Sequence, residues 1–544
     1  MSSPPDIVLR GGLVHDGWGG VPRAADLLIS GDRIVAVGSG LADGRTGADG
    51  PTETLAGLAI DVSGLHVAPG FVDMHSHSDT AVIADPLNTA KTRQGITTEL
   101  IGQDGLGVAP FDPGRDEAWR STLLGLTGHA DLPWTWRSFE DHLAAIEAAR
   151  PATNVGALLA YGSIRNAVIG MVDRPPSPPE LDRMAGLIDE AMGAGAFGMS
   201  VGLVYPPALY AATDELIRAF SVVGRHSRLM VIHLRSQGDA WREAVAEAIT
   251  IAREADVHLH VSHVCSLGRR NWPKIPLILA DLEAARASGL PVSFDQHPYT
   301  AASTVLAQVL PPWVTEGGPV RMRERLADRA ARDRIRTEIA GRGRAGWENY
   351  AGLAGWHEIQ VAGTSGQAGG ALGRTIGEIA VERGQDPVDV VAEILLAAPG
   401  SVAMVLRRLY DDAGITTIMR APGGSIGTDG VIAPHPHPRL YGSTARVLGH
   451  YARDLGGLTL EAAVERLSGA GSRILGLGER ETLAVGSYAD LVVFDPAAVT
   501  DRATYVDPAR HPDGIHHVMV NGTFVVRDGV ETGARPGRVL RPDA

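Results

Sequence analysis

Eight short apolar runs, at 67–74, 97–102, 155–161, 197–203, 229–234, 258–264, 291–294 and 425–428, alternate with helical patterns along the middle of the chain. Runs this short, apolar on both faces, suit strands covered by helices on each side, and their alternation with helices predicts parallel pairing. Helices are expected at 180–192, where Leu181, Met184, Ile188 and Met192 fall near one face, and at 241–254. The Pro175-Pro-Ser-Pro-Pro179 cluster reads as a stiff lead-in to the first of these. Eight such units predict a TIM-like (β/α)8 barrel. The interval between the seventh and eighth runs is too long for one loop and one helix, so an inserted subdomain is expected at about 306–419.

Both ends of the chain have another texture. Asp6-Ile-Val-Leu-Arg-Gly-Gly12 and Asp26-Leu-Leu-Ile-Ser-Gly-Asp-Arg-Ile-Val-Ala-Val-Gly38 alternate apolar residues with turns, as do Ala489-Asp-Leu-Val-Val-Phe-Asp495 and Val518-Met-Val-Asn-Gly-Thr-Phe-Val-Val-Arg-Asp528. These are hairpin strands. They predict one small β-sandwich built from both termini, with 1–63 and 481–544 as its parts and the barrel at 64–480.

Composition removes several functions. A formal charge of −14 disfavours polyanions, so no nucleic-acid partner is expected. There is no apolar run of membrane length and no basic start followed by an apolar segment, which predicts no membrane partner, no signal peptide and a cytoplasmic address. Cys265 is the single cysteine, so an intrachain disulfide and a multi-cysteine zinc site are both excluded. The expected partner is a small-molecule substrate, and a homo-oligomer is left open.

In a barrel, function lies where strands run out at the C-terminal face. The first strand ends at His75 and His77, which project to one side of an extended backbone. The second ends Ile101-Gly-Gln-Asp-Gly105, the fifth Val231-Ile-His-Leu-Arg235, the sixth His260-Val-Ser-His263 and the eighth Gly427-Thr-Asp-Gly430. His and Asp are poor barrel residues unless paired or metal-bound, so their recurrence predicts a metal site.

The Pro69-Gly-Phe-Val-Asp-Met-His-Ser-His77 opening, Gln94-Gly-Ile-Thr-Thr98, Gly198-Met-Ser-Val-Gly-Leu-Val-Tyr-Pro-Pro207, His233-Leu-Arg-Ser236 and His435-Pro-His-Pro-Arg-Leu-Tyr-Gly442 resemble the amidohydrolase superfamily. Within it they resemble the N-acyl-D-amino-acid deacylases, or D-aminoacylases, over nearly the whole chain. The resemblance implies one metal position at His75, His77 and Asp429 and a second at Asp104, His233 and His263. It implies one or two zinc ions; manganese or another divalent ion also fits.

Departures from the family pattern bear on bridge and substrate. Asp104 stands where the family usually has cysteine; a carboxylate can bridge two ions and favours harder metals. The lysines Lys91 and Lys274 fall away from strand ends, which leaves Asp104 as the expected bridge. Cys265 replaces a lysine that helps bind a substrate carboxylate, and is read as an apolar filler. Gln237 stands where an acidic residue is common, and His297 where a tyrosine is. Arg439 matches a family arginine that grips the carboxylate, and Tyr299, Ser303, His297 and Tyr205 complete the expected substrate-binding set, with Trp272 a further aromatic beside the pocket. The reaction implied is amide hydrolysis of N-acyl-D-amino acids or related small amides by metal-activated water, with Asp429 as the catalytic proton carrier. The alternatives are another hydrolytic substrate on the same site (a cyclic amide or imide, a carbamate, a lactone, or deamination of a heterocycle) and, remotely, an inactive scaffold.

Overall fold

The computed structural model describes residues 6–41, 56–112, 116–128, 131–344, 346–363, 370–398 and 400–542. At its centre, eight parallel strands form a ring: β1 (Phe71–Asp73), β2 (Ile96–Ile101), β3 (Asn154–Ala157, resumed at Leu159–Ala160), β4 (Gly198–Gly202), β5 (Leu229–His233), β6 (His258–Val261), β7 (Val292–Gln296) and β8 (Gly424–Ile426). Neighbours in the ring follow chain order throughout. The ring closes between β8 and β1, where the Met74 amide donates to the Ile426 carbonyl (3.2 Å) and the Asp429 amide to the His75 carbonyl (2.8 Å). That seam brings the two ends of the sequence pattern, His75 and Asp429, into one place.

Helices cover the ring. Helix Pro178–Gly193 starts at Ser177, whose amide donates to Glu180 (2.7 Å), and its first-turn prolines cost no hydrogen bond there. Met184, Ile188 and Met192 are its buried face. Trp241–Ala255 packs beside β6 and buries Trp241, Val245, Ala248 and Ile251.

Both termini feed a nine-stranded sheet. It branches at Asp6–Val14, which pairs with Arg23–Ser30 on one side and, on the other, with Ala56–Asp61 and then His66–Pro69. His66–Pro69 in turn pairs antiparallel with Leu491–Phe494 from the C-terminal part. The apolar run predicted as one strand at 67–74 is therefore two: its first half belongs to the terminal sheet and its second to the barrel. Gly70 is the joint, and a Cβ there would run into the Thr97 side chain. Both sheets demand buried apolar residues, so hydropathy is continuous across the break.

Between β7 and β8, three antiparallel strands are ordered Ala302–Val305, Ala403–Leu406, Ile359–Gly363. Helices Gly318–Ala327, Arg329–Ile339, Ile376–Arg383 and Pro387–Ala397 accompany them. This layer starts upstream of residue 306. Helix Asp412–Arg420 packs on Ile275–Ala287 and β8, as a barrel helix does. Among the described residues, no helix is long and apolar enough to cross a membrane.

Candidate metal centre

The mouth of the barrel is set by buried polar anchors. Asp73, the last residue of β1, accepts from Lys91 Nζ (2.5 Å), Thr428 Oγ1 (2.7 Å) and the Thr428 amide (2.7 Å). It thereby ties the approach to His75 to the approach to Asp429. Lys91 is spent on this tie, and Lys274 Nζ donates to the carbonyls of Gly238 and Asp239.

Past the strand ends the backbone turns sharply. Asp104 (φ 57°), His263 (φ 32°) and Asp429 (φ 49°) all take left-handed conformations, which non-glycine residues adopt only when surrounding structure enforces them. Gly102 (φ 80°) prepares the turn to Asp104, and a Cβ there would strike the Leu158 carbonyl.

These turns converge six side chains in one buried cluster. Asp104 is its hub. Its Oδ2 lies 3.6 Å from His75 Nε2 and 3.7 Å from His77 Nε2, while its Oδ1 lies 3.8 Å from His233 Nδ1 and 3.4 Å from His263 Nε2. Asp429 Oδ1 is 3.3 Å from His77 Nε2 and 3.8 Å from His75 Nε2. Three sets of donors are each compact enough for one ion: His75, His77 and Asp104; Asp104, His233 and His263; His75, His263 and Asp429.

The cluster fits a divalent metal on its own chemistry. His233 Nδ1 and His263 Nε2 face each other at 2.8 Å, and His75 Nε2 and Asp104 Oδ1 have no hydrogen-bond partner although fully buried. Imidazole nitrogens and carboxylate oxygens left unpaired around one point are costly without a cation between them. Burial pushes the Asp104 carboxyl up, but His75 and His263 outweigh it and hold it well below the usual carboxylate range. For Asp429 burial is likewise overcome, by Arg439 first and then His75, leaving it ionised.

A model of the amidohydrolase family matches residues 58–526. The chain belongs to that family. It is 35% identical to a D-aminoacylase of Alcaligenes xylosoxydans xylosoxydans over 99% of this chain and 98% of that protein. To an N-acyl-D-aspartate deacylase of the same organism it is 36% identical, over 99% and 95%. Among solved structures it resembles N-acyl-D-glutamate deacylase from Bordetella bronchiseptica, complexed with zinc and a phosphonate mimic of the tetrahedral intermediate, with TM-score 0.81, 31% identity and 99% coverage of each chain.

On the substrate side of this amidohydrolase, two of the expected residues make contacts within the protein. Arg439 is wholly buried behind the cluster: Nη1 lies 2.8 Å from Asp429 Oδ2 and Nη2 donates to the Ser303 carbonyl (3.1 Å). It does not line the cavity at the metal centre. Nor does Tyr299, whose hydroxyl donates to Asp501 (2.5 Å) and so ties the β7 tail to the C-terminal segment. That cavity, about 410 Å³ counting its open mouth, is lined by Tyr205, Gln237, Ser303, His297 and Cys265 of the substrate-side residues named from sequence. Tyr205 shares a hydrogen bond with Thr304 Oγ1 (2.8 Å), and the Ser303 hydroxyl donates to the Met404 carbonyl (2.9 Å). Burial, then Arg439, hold the His297 imidazole well below its ordinary value, so it is neutral. The Cys265 thiol donates to Gln237 Oε1 (3.2 Å), and burial pushes it up to about 12, which leaves it inert. Trp272 donates to the Leu409 carbonyl (3.0 Å), outside this cavity.

Sequence reasoning missed Asp295. On β7 it accepts from the His263 amide (2.9 Å), pairs with His260 Nε2 (3.0 Å) and lies 3.5 Å from His75 Nδ1. It anchors the backbone of His263 and places a carboxylate behind the His75 imidazole. An aspartate inside an apolar strand was the available signal. Leu126, Tyr350 and Tyr410 also line the cavity, and nothing local in the sequence marks them.

Proposed function

We propose that the chain is a metal-dependent hydrolase of N-acyl-D-amino acids or closely related small amides, with one or two divalent ions, zinc foremost, held by His75, His77, Asp104, His233, His263 and Asp429. The observation that supports it most is the division of Asp104, one oxygen toward His75 and His77 and the other toward His233 and His263, in a chain 34–36% identical along its length to three D-amino-acid deacylases.

A divalent ion bound there supplies Lewis acidity toward a carbonyl and acidifies water toward neutral pH. The protein supplies the rest. Asp429 Oδ1 takes the proton of the attacking water and returns it to the leaving amide nitrogen, without which an amine is a poor leaving group. Arg439 on Oδ2 keeps Asp429 an acceptor before the reaction and fixes its orientation. Asp295 anchors the His263 backbone and lies behind His75. His297, neutral and in the cavity wall, offers a hydrogen bond on the amine side, and Tyr205 lines the same cavity with its ring against His233. The cavity wall holds no lysine or arginine among the described residues, so the substrate carboxylate is received by neutral donors of the wall. The lone cysteine is consistent with a cytoplasmic location, which we include in the proposal together with a small-molecule substrate.

The test is a screen of N-acetyl-D- and N-acetyl-L-amino acids beside cyclic amides, with metal-quantified enzyme and the Asp429→Asn variant as control. Turnover of the D-amides, lowered by about 10³-fold or more in the variant, is expected. Turnover of cyclic amides alone would contradict the proposal, and near-normal turnover by the variant would remove Asp429 from its role.

A further inference from the structure

A line of hydrogen bonds runs behind the metal centre through buried side chains from the loops after β5 and β6. Gln237 is its middle member, and the loop that carries it is pinned. The Gln237 amide donates to Glu348 Oε1 (2.6 Å) in the inserted layer, and the Gly238 amide donates to the same oxygen (3.1 Å). The Gln237 side chain is thereby held between Cys265 and His263. The Cys265 thiol donates to Gln237 Oε1 (3.2 Å), Gln237 Nε2 donates to His263 Nδ1 (3.0 Å), and His263 Nε2 faces His233 Nδ1 at 2.8 Å.

The direction of this line opposes metal binding. A neutral imidazole that accepts at Nδ1 carries its one proton on Nε2, and Nε2 is the His263 nitrogen turned toward Asp104 Oδ1 (3.4 Å). An ion at the position of Asp104, His233 and His263 takes the lone pair of that nitrogen, so the proton belongs on Nδ1, where it needs an acceptor. His233 requires no such change, because the nitrogen it turns toward the cluster, Nδ1, already faces His263 as an acceptor. Gln237 supplies the missing acceptor when its amide turns over, which exchanges Oε1 and Nε2 in place. Oε1 then accepts from His263 Nδ1, and Nε2 faces the Cys265 sulfur, a weak acceptor. The contacts given up, from Nε2 to the Ser262 and His263 carbonyls, are long, at 3.5 and 3.4 Å. The imidazole stays neutral, and one proton moves from Nε2 to Nδ1.

We infer that Gln237 is a positioning residue that sets the tautomer of His263, and that its amide turns over when an ion occupies the position of Asp104, His233 and His263. The inference rests on the metal-hydrolase reading above and deepens it. An amide presents a donor or an acceptor with equal ease, so Gln237 supports both tautomers. The acidic residue common at this place in the family pattern only accepts, and supports the ligating tautomer alone. Part of the ion's binding free energy therefore goes into the turn. Gln237→Glu holds or tightens the position, and a side chain with no acceptor weakens it.

The experiment is a zinc titration of the metal-stripped parent, Gln237→Glu, Gln237→Leu and Gln237→Met against a chromophoric chelator, with the binding step of this position identified as the one lost in His233→Ala. In whichever apolar variant keeps the parent's melting temperature, affinity at that step is expected to fall at least about tenfold while any other step changes less than about threefold. Gln237→Glu is expected to match or exceed the parent. The second readout is the infrared S–H stretching band of Cys265, the single cysteine of the chain. On zinc binding to the parent the band moves to higher frequency, because the thiol loses Oε1 and keeps only the weaker phenol acceptor of Tyr410 within its reach; in the apolar variants, which have no Oε1, zinc leaves it in place. Zinc affinity unchanged in the apolar variants overturns the inference and leaves the metal site standing. So does an equal loss in Gln237→Glu, a band that does not move in the parent while zinc binds at that step, or a band that vanishes as in a zinc-bound thiolate. A protein that binds no divalent ion overturns the metal reading, and the role of Gln237 with it.

Discussion

Asp104 concentrates the chemistry of the site in one side chain. Its two oxygens serve different pairs of histidines, and its left-handed backbone shows that the loop is built to deliver it. Replacing this hard carboxylate by a soft thiolate removes the second oxygen and raises preference for zinc. Asp104→Cys is expected to increase zinc over manganese selectivity by at least about tenfold in a metal competition assay; unchanged selectivity would mean that Asp104 is not a ligand. At this scale the sequence was legible wherever cluster residues were neighbours or repeated at strand ends. His75 and His77 are two residues apart on an extended segment, and Asp429 sits in a Gly-Thr-Asp-Gly turn. Arg439, expected from the family pattern to grip a substrate carboxylate, meets a carboxylate within the protein, that of Asp429. Which of two acids an arginine reaches depends on how the loop between them folds, and no local pattern encodes that.

At the scale of elements, the joint between β1 and β8 is held by Lys91, fully buried with its ammonium on Asp73 and Thr428. Removing one partner of a buried pair leaves the other charge uncompensated, at a cost of about 3–5 kcal/mol. Lys91→Met is therefore expected to lower the melting temperature by about 3–4 °C, with a loss of bound metal because the same tie aims His75 and Asp429. A melting curve unchanged from the parent would show that the pair holds nothing. The alternation of strands and helices was readable because short apolar runs and 3.6-residue periodicity differ in kind. The break at Gly70 was not, since residues on either side are equally apolar and only the close approach of Thr97 demands glycine. Similarly, Ala302–Val305 reads as loop until its partner Ala403–Leu406, a hundred residues on, supplies the hydrogen bonds.

Across the whole molecule, three separate regions hold a neutral histidine out of water: His15 just past the strand Asp6–Val14, His142 in the helix Phe139–Ala149 and the half-buried His258 on β6. Burial holds each down to about 4, with His66 adding to the effect at His15 and His260 at His258. Because these values are depressed, the stability they contribute is complete above the ordinary histidine value near 6.5 and is lost as pH falls toward about 4, where the unfolded chain binds protons that the folded one refuses. Each contributes up to about 3 kcal/mol. Thermal melts between about pH 7 and pH 4.5 should show a steep decline, partly flattened in His142→Gln; equal acid sensitivity in that variant would refute the assignment. The fold joins distant parts of the chain into one frame, with both termini in one sheet and a barrel whose seam unites its first and last strands. That frame brings six candidate metal donors into one buried cluster. Their joint role is tested most directly by stripping the protein with a chelator and following hydrolysis of N-acyl-D-amino acids against ions bound per chain as zinc or manganese is restored. The account predicts that activity vanishes in the stripped protein and returns in step with metal binding, and that His263→Ala binds fewer ions and recovers little activity. Full turnover by metal-free protein, or a protein that binds no divalent ion, would contradict it.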